Sequence, residues 1–246
     1  MQLLPTVAIG AGIGFLGGLL GKGGSAIATP LLHAIGVPPI LAVASPLPGT
    51  IPSTFLAGRT YARAGQVDRR VAAWVIAAGV PATVAGALAS RWVGGGPLVL
   101  ATDVVLVLLG LRLALRRPVH TAATEHQPSL ARIIAVAVAV GVIAGLLANS
   151  GGFLLAPLFV TALGLPIARA LGTSLVVATV LALPGTVVHA ALGHVDWALV
   201  AVLTVSSLPL SYAGARVALR TDPARLERGY GVILAVLGVG FLVFVR

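Results

Sequence analysis

Two short glycine-rich segments are the part of this sequence best suited to chemistry. The first, GKGGS, runs from Gly21 to Ser25, and the second, ANSGG, runs from Ala148 to Gly152. Glycine lets a backbone approach a ligand closely and adopt unusual dihedral angles. A helix that restarts at Ser25 or Gly152 would direct its free N–H groups and the positive end of its dipole at the break. The pattern predicts two anion-binding breaks, with helix packing as the alternative use of these glycines.

The polar side chains inside the breaks sharpen this prediction. Lys22 is the only lysine in the chain. An unpaired ammonium is costly in a membrane, so Lys22 is either a countercharge to an anionic substrate or a side chain that reaches a membrane face. Asn149, its counterpart in the second break, offers a neutral donor. We expect substrate contacts from the following break residues: Lys22, Gly23, Gly24, Ser25, Asn149, Ser150, Gly151 and Gly152.

Hydroxyl residues follow each break at matched positions. Ser45 in the first half, and Thr173 and Ser174 in the second, could donate to oxyanion oxygens without a fixed charge that would trap the ion. We include these three in the predicted substrate site because their positions correspond. Helical hydroxyls more commonly bond back to their own helix. That alternative applies most to the neighbouring hydroxyls, which are Thr50, Ser53, Thr54 and Thr179.

Two ionisable residues are candidates for ion coupling. Asp103 is the only acid well inside an apolar stretch. It could carry a coupling proton, or it could pair with Arg112 or Arg91 as part of the structure, which we favour. His189 ends a predicted helix and is a candidate for proton sensing.

Other functions lack the residues that they require. An intramembrane enzyme would need paired carboxylates, a Ser-His pair or a metal cluster, and Asp68 and Asp196 each precede a helix as N-caps. The chain has no cysteine and no G-x-x-x-x-G-K-[ST] run, so we expect no cofactor and no metal. The net charge of +10 comes from arginines at the ends of apolar stretches, which argues against nucleic-acid binding.

The elements that must hold these residues are apolar helices. The chain is 58% hydrophobic and 9% charged, against about 25% charged in ordinary soluble domains. The apolar stretches of about 18 to 22 residues fit helices that cross a ~30 Å hydrocarbon layer. The N-terminal stretch has no basic leader, so we expect a retained helix. The sequence predicts an all-α, multi-pass inner (plasma) membrane protein with these helices: Leu3–Leu20, Ser25–Ile35, Ile40–Leu56, Val71–Ser90, Leu98–Leu115, Arg132–Leu147, Phe153–Leu163, Ala168–Leu192, Trp197–Leu219 and Arg228–Val245.

The chain contains one unit twice. Residues 14–35 align with residues 141–162, and after one inserted residue 36–47 align with 164–175. A repeat of this length is typical of transporters whose substrate lies between two halves. We predict three regions, which are a first transmembrane repeat at 1–115, a cytoplasmic linker at 116–129 and a second transmembrane repeat at 130–246.

The arginines favour two inverted halves. In a parallel arrangement they divide between both membrane faces. If each half crosses an odd number of times, only Arg91 and Arg246 lie outside and the other thirteen are cytoplasmic, as the positive-inside rule requires. The second helix of each half has about eleven residues, or ~17 Å, and cannot span. Each repeat is therefore predicted as a glycine-broken first helix or re-entrant hairpin plus three spanning helices.

With these motifs, the chain resembles the TauE/SafE family of sulfite exporters and sulfonate anion permeases. The resemblance covers residues 10–240. It rests on a duplicated glycine break followed shortly by Pro30 or Pro157, on the small polar stretches after Gly36 and Gly164, and on a G-x-V-D motif before a helix in each half.

The resemblance implies transport of sulfite or an organosulfonate such as sulfoacetate, coupled to a proton or sodium gradient. We therefore predict a secondary-active transporter that works by alternating access, with its substrate at paired half-helix N-termini near mid-membrane. The alternatives are an anion channel, or a permease for another small anion such as a carboxylate. Lys22 and Ser25, and the pair Asn149-Ser150, depart from the family pattern and leave the anion open. Assembly as a homodimer is left open as well.

Overall fold

The computed structural model describes residues 3–21, 25–93 and 128–222, with isolated positions between 97 and 108 and between 224 and 236. Within these ranges the chain is helical and has no β-strand, so the all-α prediction is confirmed. The helices are α1 Leu3–Leu20, α2 Ser25–Ala34, α3 Pro39–Ala44, α4 Pro46–Arg63, α5 Arg69–Ala89, α6 Leu130–Leu146, α7 Gly152–Thr161, α8 Ile167–Ala191 and α9 Trp197–Arg220, with a 3-10 turn at Ser90–Trp92.

Five helical segments in the described residues are long and apolar enough to cross a membrane. They are Leu3–Leu20, Pro39–Arg63, Arg69–Trp92, Ile167–Ala191 and Trp197–Arg220. Helices α2 and α7 have ten residues each, or about 15 Å, which is half of the hydrocarbon layer. The prediction that these two helices are too short to span is confirmed, and the chain is a multi-pass membrane protein.

The predicted helix Ile40–Leu56 differs from the observed one. Helices α3 and α4 meet at Ser45 and together form the segment Pro39–Arg63, which ends at Arg63 rather than at Leu56. Ser45 keeps helical backbone angles, with φ −63° and ψ −32°, so the change at this junction is local: Pro46 has no N–H to donate to the helix before it. The predicted helices Leu98–Leu115 and Arg228–Val245 and most of the linker lie outside the described residues.

Small residues hold α1 against α9 and α5 against α6, the two most extensive helix contacts. A Cβ added at Gly14 would overlap the backbone of Ser207, and one at Gly18 would overlap the carbonyl of Ser211. The residue numbers of the contacting pairs rise together along α1 and α9, so these two helices are parallel. Glycine at such contacts lets two backbones approach closely.

The pair α5 and α6 repeats this arrangement. A Cβ at Gly86 would overlap the carbonyl of Val142, and one at Gly145 would overlap the carbonyl of Thr83. A Cβ at Gly141 would lie 2.8 Å from the Ala82 side chain. Helices α5 and α6 are therefore also parallel and packed backbone to backbone.

Helices α4 and α8 cross in the centre of the bundle and run antiparallel. Gly58 faces Val176, whereas Gly185, later in α8, faces Leu47 near the start of α4. Between these contacts the hydroxyls of Thr54 and Thr179 are 2.9 Å apart. The end of α4 therefore lies beside the beginning of α8.

These directions gather the arginines at one end of the bundle, which we call the arginine-rich end. Helix α4 ends there, the short loop 64–68 leads directly into α5, and α6 and α8 also begin there. It holds nine of the ten described arginines: Arg59, Arg63, Arg69, Arg70, Arg132, Arg169, Arg216, Arg220 and Arg225. Arg91 is the tenth and lies at the opposite, arginine-poor end.

Candidate anion site between the helix breaks

The first break is described only at its two edges. Helix α1 ends at Leu20, Gly21 follows with a left-handed φ of 65°, and α2 begins at Ser25. A Cβ at Gly21 would also lie 2.5 Å from the Leu171 backbone, so glycine is required there on both counts. The predicted contacts Lys22, Gly23 and Gly24 lie outside the described residues, as does the predicted coupling residue Asp103.

The second break is described completely and is a fixed turn. Gly151 is the N-cap of α7 with φ 70°, and Ala148 has a positive φ of 46°. Non-glycine residues seldom adopt that conformation, which costs about 1–3 kcal/mol. The Asn149 side-chain oxygen accepts a hydrogen bond from the Gly151 N–H at 2.6 Å. The surrounding structure therefore holds this break in a strained shape that a continuous helix would avoid.

The two breaks meet inside the bundle. The Ser150 N–H donates to the Ser25 hydroxyl oxygen at 3.4 Å, although 125 residues separate them. Both residues are 1% exposed. The N-terminal ends of α2 and α7 therefore lie side by side, and both direct the positive ends of their dipoles toward the same buried place.

Two polar atoms at this meeting point have no hydrogen-bond partner among the described residues. They are the Asn149 Nδ2 amide and the Ser150 hydroxyl, both buried. A buried donor without a partner costs about 1–3 kcal/mol, so these two groups are available to a hydrogen-bond acceptor that reaches this place. At the start of α7 the Leu154 N–H already donates to the Gly151 carbonyl at 2.9 Å, whereas the N–H groups of residues 152 and 153 precede any carbonyl of their own helix that could accept them. The site thus presents donors of several kinds to a common volume.

No described acid opposes these donors. Asp68, Asp196 and Asp222 are the three acids in the described residues, and each accepts hydrogen bonds from backbone N–H groups at a helix start. The N-cap roles predicted for Asp68 and Asp196 are confirmed. A cluster of donors without a carboxylate suits an anion rather than a cation.

The three hydroxyls that were predicted to contact the substrate lie in different parts of the structure. Ser174 reaches the first break, where its hydroxyl donates to the Gly21 carbonyl and also to Leu171 at 2.8 Å. The Thr173 hydroxyl instead accepts from the Asp68 N–H at 2.8 Å, and the Ser45 hydroxyl accepts from the Asp196 N–H at 2.9 Å. Ser45 and Thr173 therefore hold loops of the opposite half, at opposite ends of the bundle.

The remaining hydroxyls bond mainly within their own helices. Thr50 donates to Leu47 at 2.8 Å and Ser53 donates to Thr50 at 2.9 Å. Thr54 and Thr179 each donate to a carbonyl of their own helix as well as contacting one another. These contacts match the backbone-bonding use that was held open for this group.

His189 lies beside the second break and has a partner that the sequence did not reveal. It is fully buried, and its Nε2 is 3.1 Å from the Gly145 carbonyl oxygen. Its Nδ1 is 3.2 Å from Nδ1 of His194. His194 is the variable residue of the second G-x-V-D motif. The five-residue spacing between the two histidines, across the end of α8, was the sequence signal that could have predicted this contact. Tyr61, which aligns with His189, donates to the Gly18 carbonyl at 3.4 Å.

Comparisons with known proteins place this geometry in context. A family model described as "Sulfite exporter TauE/SafE" matches residues 6–241. A "Probable membrane transporter protein" of Xylella fastidiosa (strain 9a5c) is 28% identical over 245 residues, which cover 97% of this chain and 94% of that protein. "Probable membrane transporter protein YjnA" of Bacillus subtilis (strain 168) is 25% identical over 250 residues, covering 96% and 98%. No solved structure matches the chain.

Proposed function

This chain belongs to the sulfite exporter TauE/SafE family, as its glycine breaks predicted, and we propose that it is a secondary-active transporter of small sulfur-containing anions. Membrane transport, rather than catalysis, is what the names of the family and the relatives indicate. The proposed substrates are sulfite and organosulfonates such as sulfoacetate, and the proposed location is the inner (plasma) membrane. The gradient that drives transport is one of protons or sodium ions.

The observation that carries the proposal is the pair of unpartnered donors where the breaks meet. The Asn149 Nδ2 amide and the Ser150 hydroxyl are buried beside the start of α7, and Ser25 brings the start of α2 to the same place. A sulfite or sulfonate group has three oxygens that accept hydrogen bonds and a negative charge that the helix dipoles favour. Lys22, which aligns with Asn149 and lies three residues before Ser25, is the proposed countercharge.

The strength of such a site suits a carrier. A hydrogen bond to a charged group contributes about 1.5–3 kcal/mol, so two of them supply about 3–6 kcal/mol. An affinity near 1 mM corresponds to about 4 kcal/mol. Neutral donors and helix dipoles therefore hold the anion firmly enough to select it and weakly enough to release it.

We further propose that the two halves are inverted repeats that work by alternating access. Helices α4 and α8, which the alignment of the halves pairs, contact each other antiparallel. The bonds from Asp68 to Thr173 and from Asp196 to Ser45 join aligned positions reciprocally. The positive-inside rule then places the arginine-rich end in the cytoplasm. Inverted halves around a midplane site are a common transporter plan.

Ser150→Ala provides a direct test of the anion site. Removing an unpartnered buried hydroxyl should stabilise the empty protein while it removes one donor to the anion. We expect Ser150→Ala to melt at a higher temperature than wild type without ligand, and to gain less stability from sulfite or sulfoacetate. Melting is measured in detergent with sulfite, sulfoacetate, taurine, sulfate, acetate and chloride. Lys22→Ala, measured alongside, tests the proposed countercharge by the same ligand-induced shift.

Ser206→Ala is the matched control because the Ser206 hydroxyl bonds only to its own helix among the described residues. It should keep the full ligand-induced shift. A wild-type protein that no sulfur anion stabilises would contradict the substrate class. An equal shift in wild type and Ser150→Ala would contradict the placement of the site.

Counterflow separates a carrier from a channel. Proteoliposomes loaded with unlabelled sulfite or sulfoacetate should accumulate the labelled anion transiently, because a carrier exchanges substrate one for one. A channel would instead conduct current and show no accumulation. Stabilisation by acetate that exceeds the effect of every sulfur anion would favour a carboxylate permease.

A further inference from the structure

A histidine pair connects the arginine-poor end of the bundle with the second break. His189 lies in the last turn of α8 and is fully buried, whereas His194 lies in the loop between α8 and α9 and is half-buried. Their Nδ1 atoms are 3.2 Å apart and their ring centroids 5.5 Å apart. The pair therefore forms a short path from the surface to the interior.

The hydrogen bonds fix where the protons of the neutral pair are. The Gly145 carbonyl can only accept, so His189 Nε2, 3.1 Å away, carries the proton. In a neutral imidazole the other nitrogen is then an acceptor. His194 must donate its Nδ1 proton to His189 Nδ1, which leaves His194 Nε2 as the nitrogen that can take up a further proton.

Few other charges act on this pair. Helices α4, α5, α6 and α7 pack against α8. The described arginines within these helices all lie at the arginine-rich end, away from the histidine pair. At the arginine-poor end the other charged or titratable described groups are Asp196, Arg91 and His33. Asp196 caps α9, Arg91 lies over the Trp92 ring at 4.1 Å, and His33 donates to the Val37 carbonyl at 3.4 Å.

We propose that His189 and His194 form the proton-binding site through which transport is coupled to a proton gradient, an inference that rests on the proposed transport function. A proton binds His194 Nε2, and the Nδ1 proton of His194 moves to Nδ1 of His189. His189 then carries both ring protons and the positive charge, and it keeps its bond to Gly145. The pair holds one extra proton, because a second would set two N–H groups against each other.

The position of His189 links the proton to the anion. Gly145, which accepts its hydrogen bond, lies four residues before Asn149 in the second break. A buried positive charge is costly without an opposite charge nearby, and an anion in the break supplies one. Binding of the proton and of the anion therefore favour each other, and this coupling is reciprocal.

The exposed member of the pair is suited to taking protons from an acidic medium. Burial lowers the pKa of His194, so this ring is neutral at neutral pH and gains its proton as the pH falls. The positive-inside rule places the arginine-poor end outside the cytoplasm. Protons would therefore enter the pair from the external side.

The test measures protons and anions together in proteoliposomes. Purified full-length protein is reconstituted with a luminal pH dye, and sulfoacetate and sulfite are used as probes in separate runs. Counterflow at equal pH reports exchange, and an imposed anion gradient reports protons moved per anion. The variants are His189→Gln and His194→Gln, whose amides can donate hydrogen bonds but cannot carry a proton. The matched control is Tyr61→Phe, which removes the hydroxyl that bonds the Gly18 carbonyl in the other half.

We expect wild type to move protons with the anion, and the number of protons per anion to fall by about tenfold in both histidine variants. Tyr61→Phe should keep the wild-type ratio. A wild-type ratio in either histidine variant, or an equal fall in Tyr61→Phe, overturns the coupling role. If His189→Gln does not fold, the half-buried His194→Gln decides the question.

The two proposals fail in different ways. Exchange of either probe without proton movement in wild type overturns the histidine coupling and leaves the transport function standing. Absence of exchange for both probes overturns the transport function, and the coupling with it.

Discussion

Tyr61 in the first half and His189 in the second occupy aligned positions and make the same kind of contact. Tyr61 donates to the Gly18 carbonyl at 3.4 Å, and His189 contacts the Gly145 carbonyl at 3.1 Å. Gly18 and Gly145 are also aligned, and each packs against a backbone carbonyl of the opposite half. Both halves therefore use one bulky polar side chain to hold the end of the helix that precedes the break.

The difference between these two side chains lies in their proton chemistry. A phenol keeps its proton near neutral pH, whereas an imidazole can gain one. His189 also has a second ring nitrogen that reaches His194, and the residue aligned with His194 is Gln66, which cannot be protonated. The two halves can thus share the same helix packing while only the second half carries side chains that bind a proton near neutral pH.

The largest expected effect tests whether the packing of the two halves is equivalent. A Cβ at Gly18 or Gly145 would overlap a backbone carbonyl, which cannot move aside without separating two helices. Gly18→Ala and Gly145→Ala should each lower the free energy of unfolding by about 1–3 kcal/mol or more. Thermal melting in detergent measures this, with Gly12→Ala as the control because a Cβ there has no neighbour within 4 Å. A large effect in only one half would break the comparison.

A smaller effect separates free donors from engaged ones. Asn149→Asp keeps the oxygen that accepts from Gly151 but replaces the unpartnered Nδ2 donor with negative charge. Its affinity for sulfite or sulfoacetate should fall by about tenfold or more. Ser174→Ala removes a hydroxyl that is already bonded to Gly21 and Leu171, so it should lower the melting temperature and change affinity little. The ligand-induced shift in melting temperature is measured for both variants. A larger loss of affinity in Ser174→Ala than in Asn149→Asp would contradict a role for the unpartnered donors in anion binding.

The smallest effect concerns the two loop contacts that join the halves. Ser45→Ala and Thr173→Val each remove one hydroxyl that accepts a backbone N–H from Asp196 or Asp68. Each should cost about 1 kcal/mol of stability, and the two costs should be similar. Thr173→Ser keeps the acceptor and should melt within a degree or two of wild type. Unequal losses would show that one end of the bundle is held more tightly than the other.

Local rules account for the features that could be predicted. The α1 bounds, the short α2 and α7, and the caps at Asp68 and Asp196 follow from apolar length, glycine breaks and cap chemistry in neighbouring residues. A membrane makes these rules strict, because a backbone group in hydrocarbon must find its partner within the protein. The continuation of the Pro39–Arg63 segment past Leu56 was missed, because the residues after Leu56 are more polar and the apolar pattern stops there.

Residue types and their local order were therefore enough to predict the helical class, the two breaks and the family. The packing of the helices in three dimensions established which residues meet. It joined Ser25 to Ser150, turned the Ser45 and Thr173 hydroxyls toward loops of the opposite half, and left the Asn149 amide without a described partner. The physical reason is distance along the chain: contacts over more than a hundred residues depend on how whole helices cross, which no local pattern of residue types records.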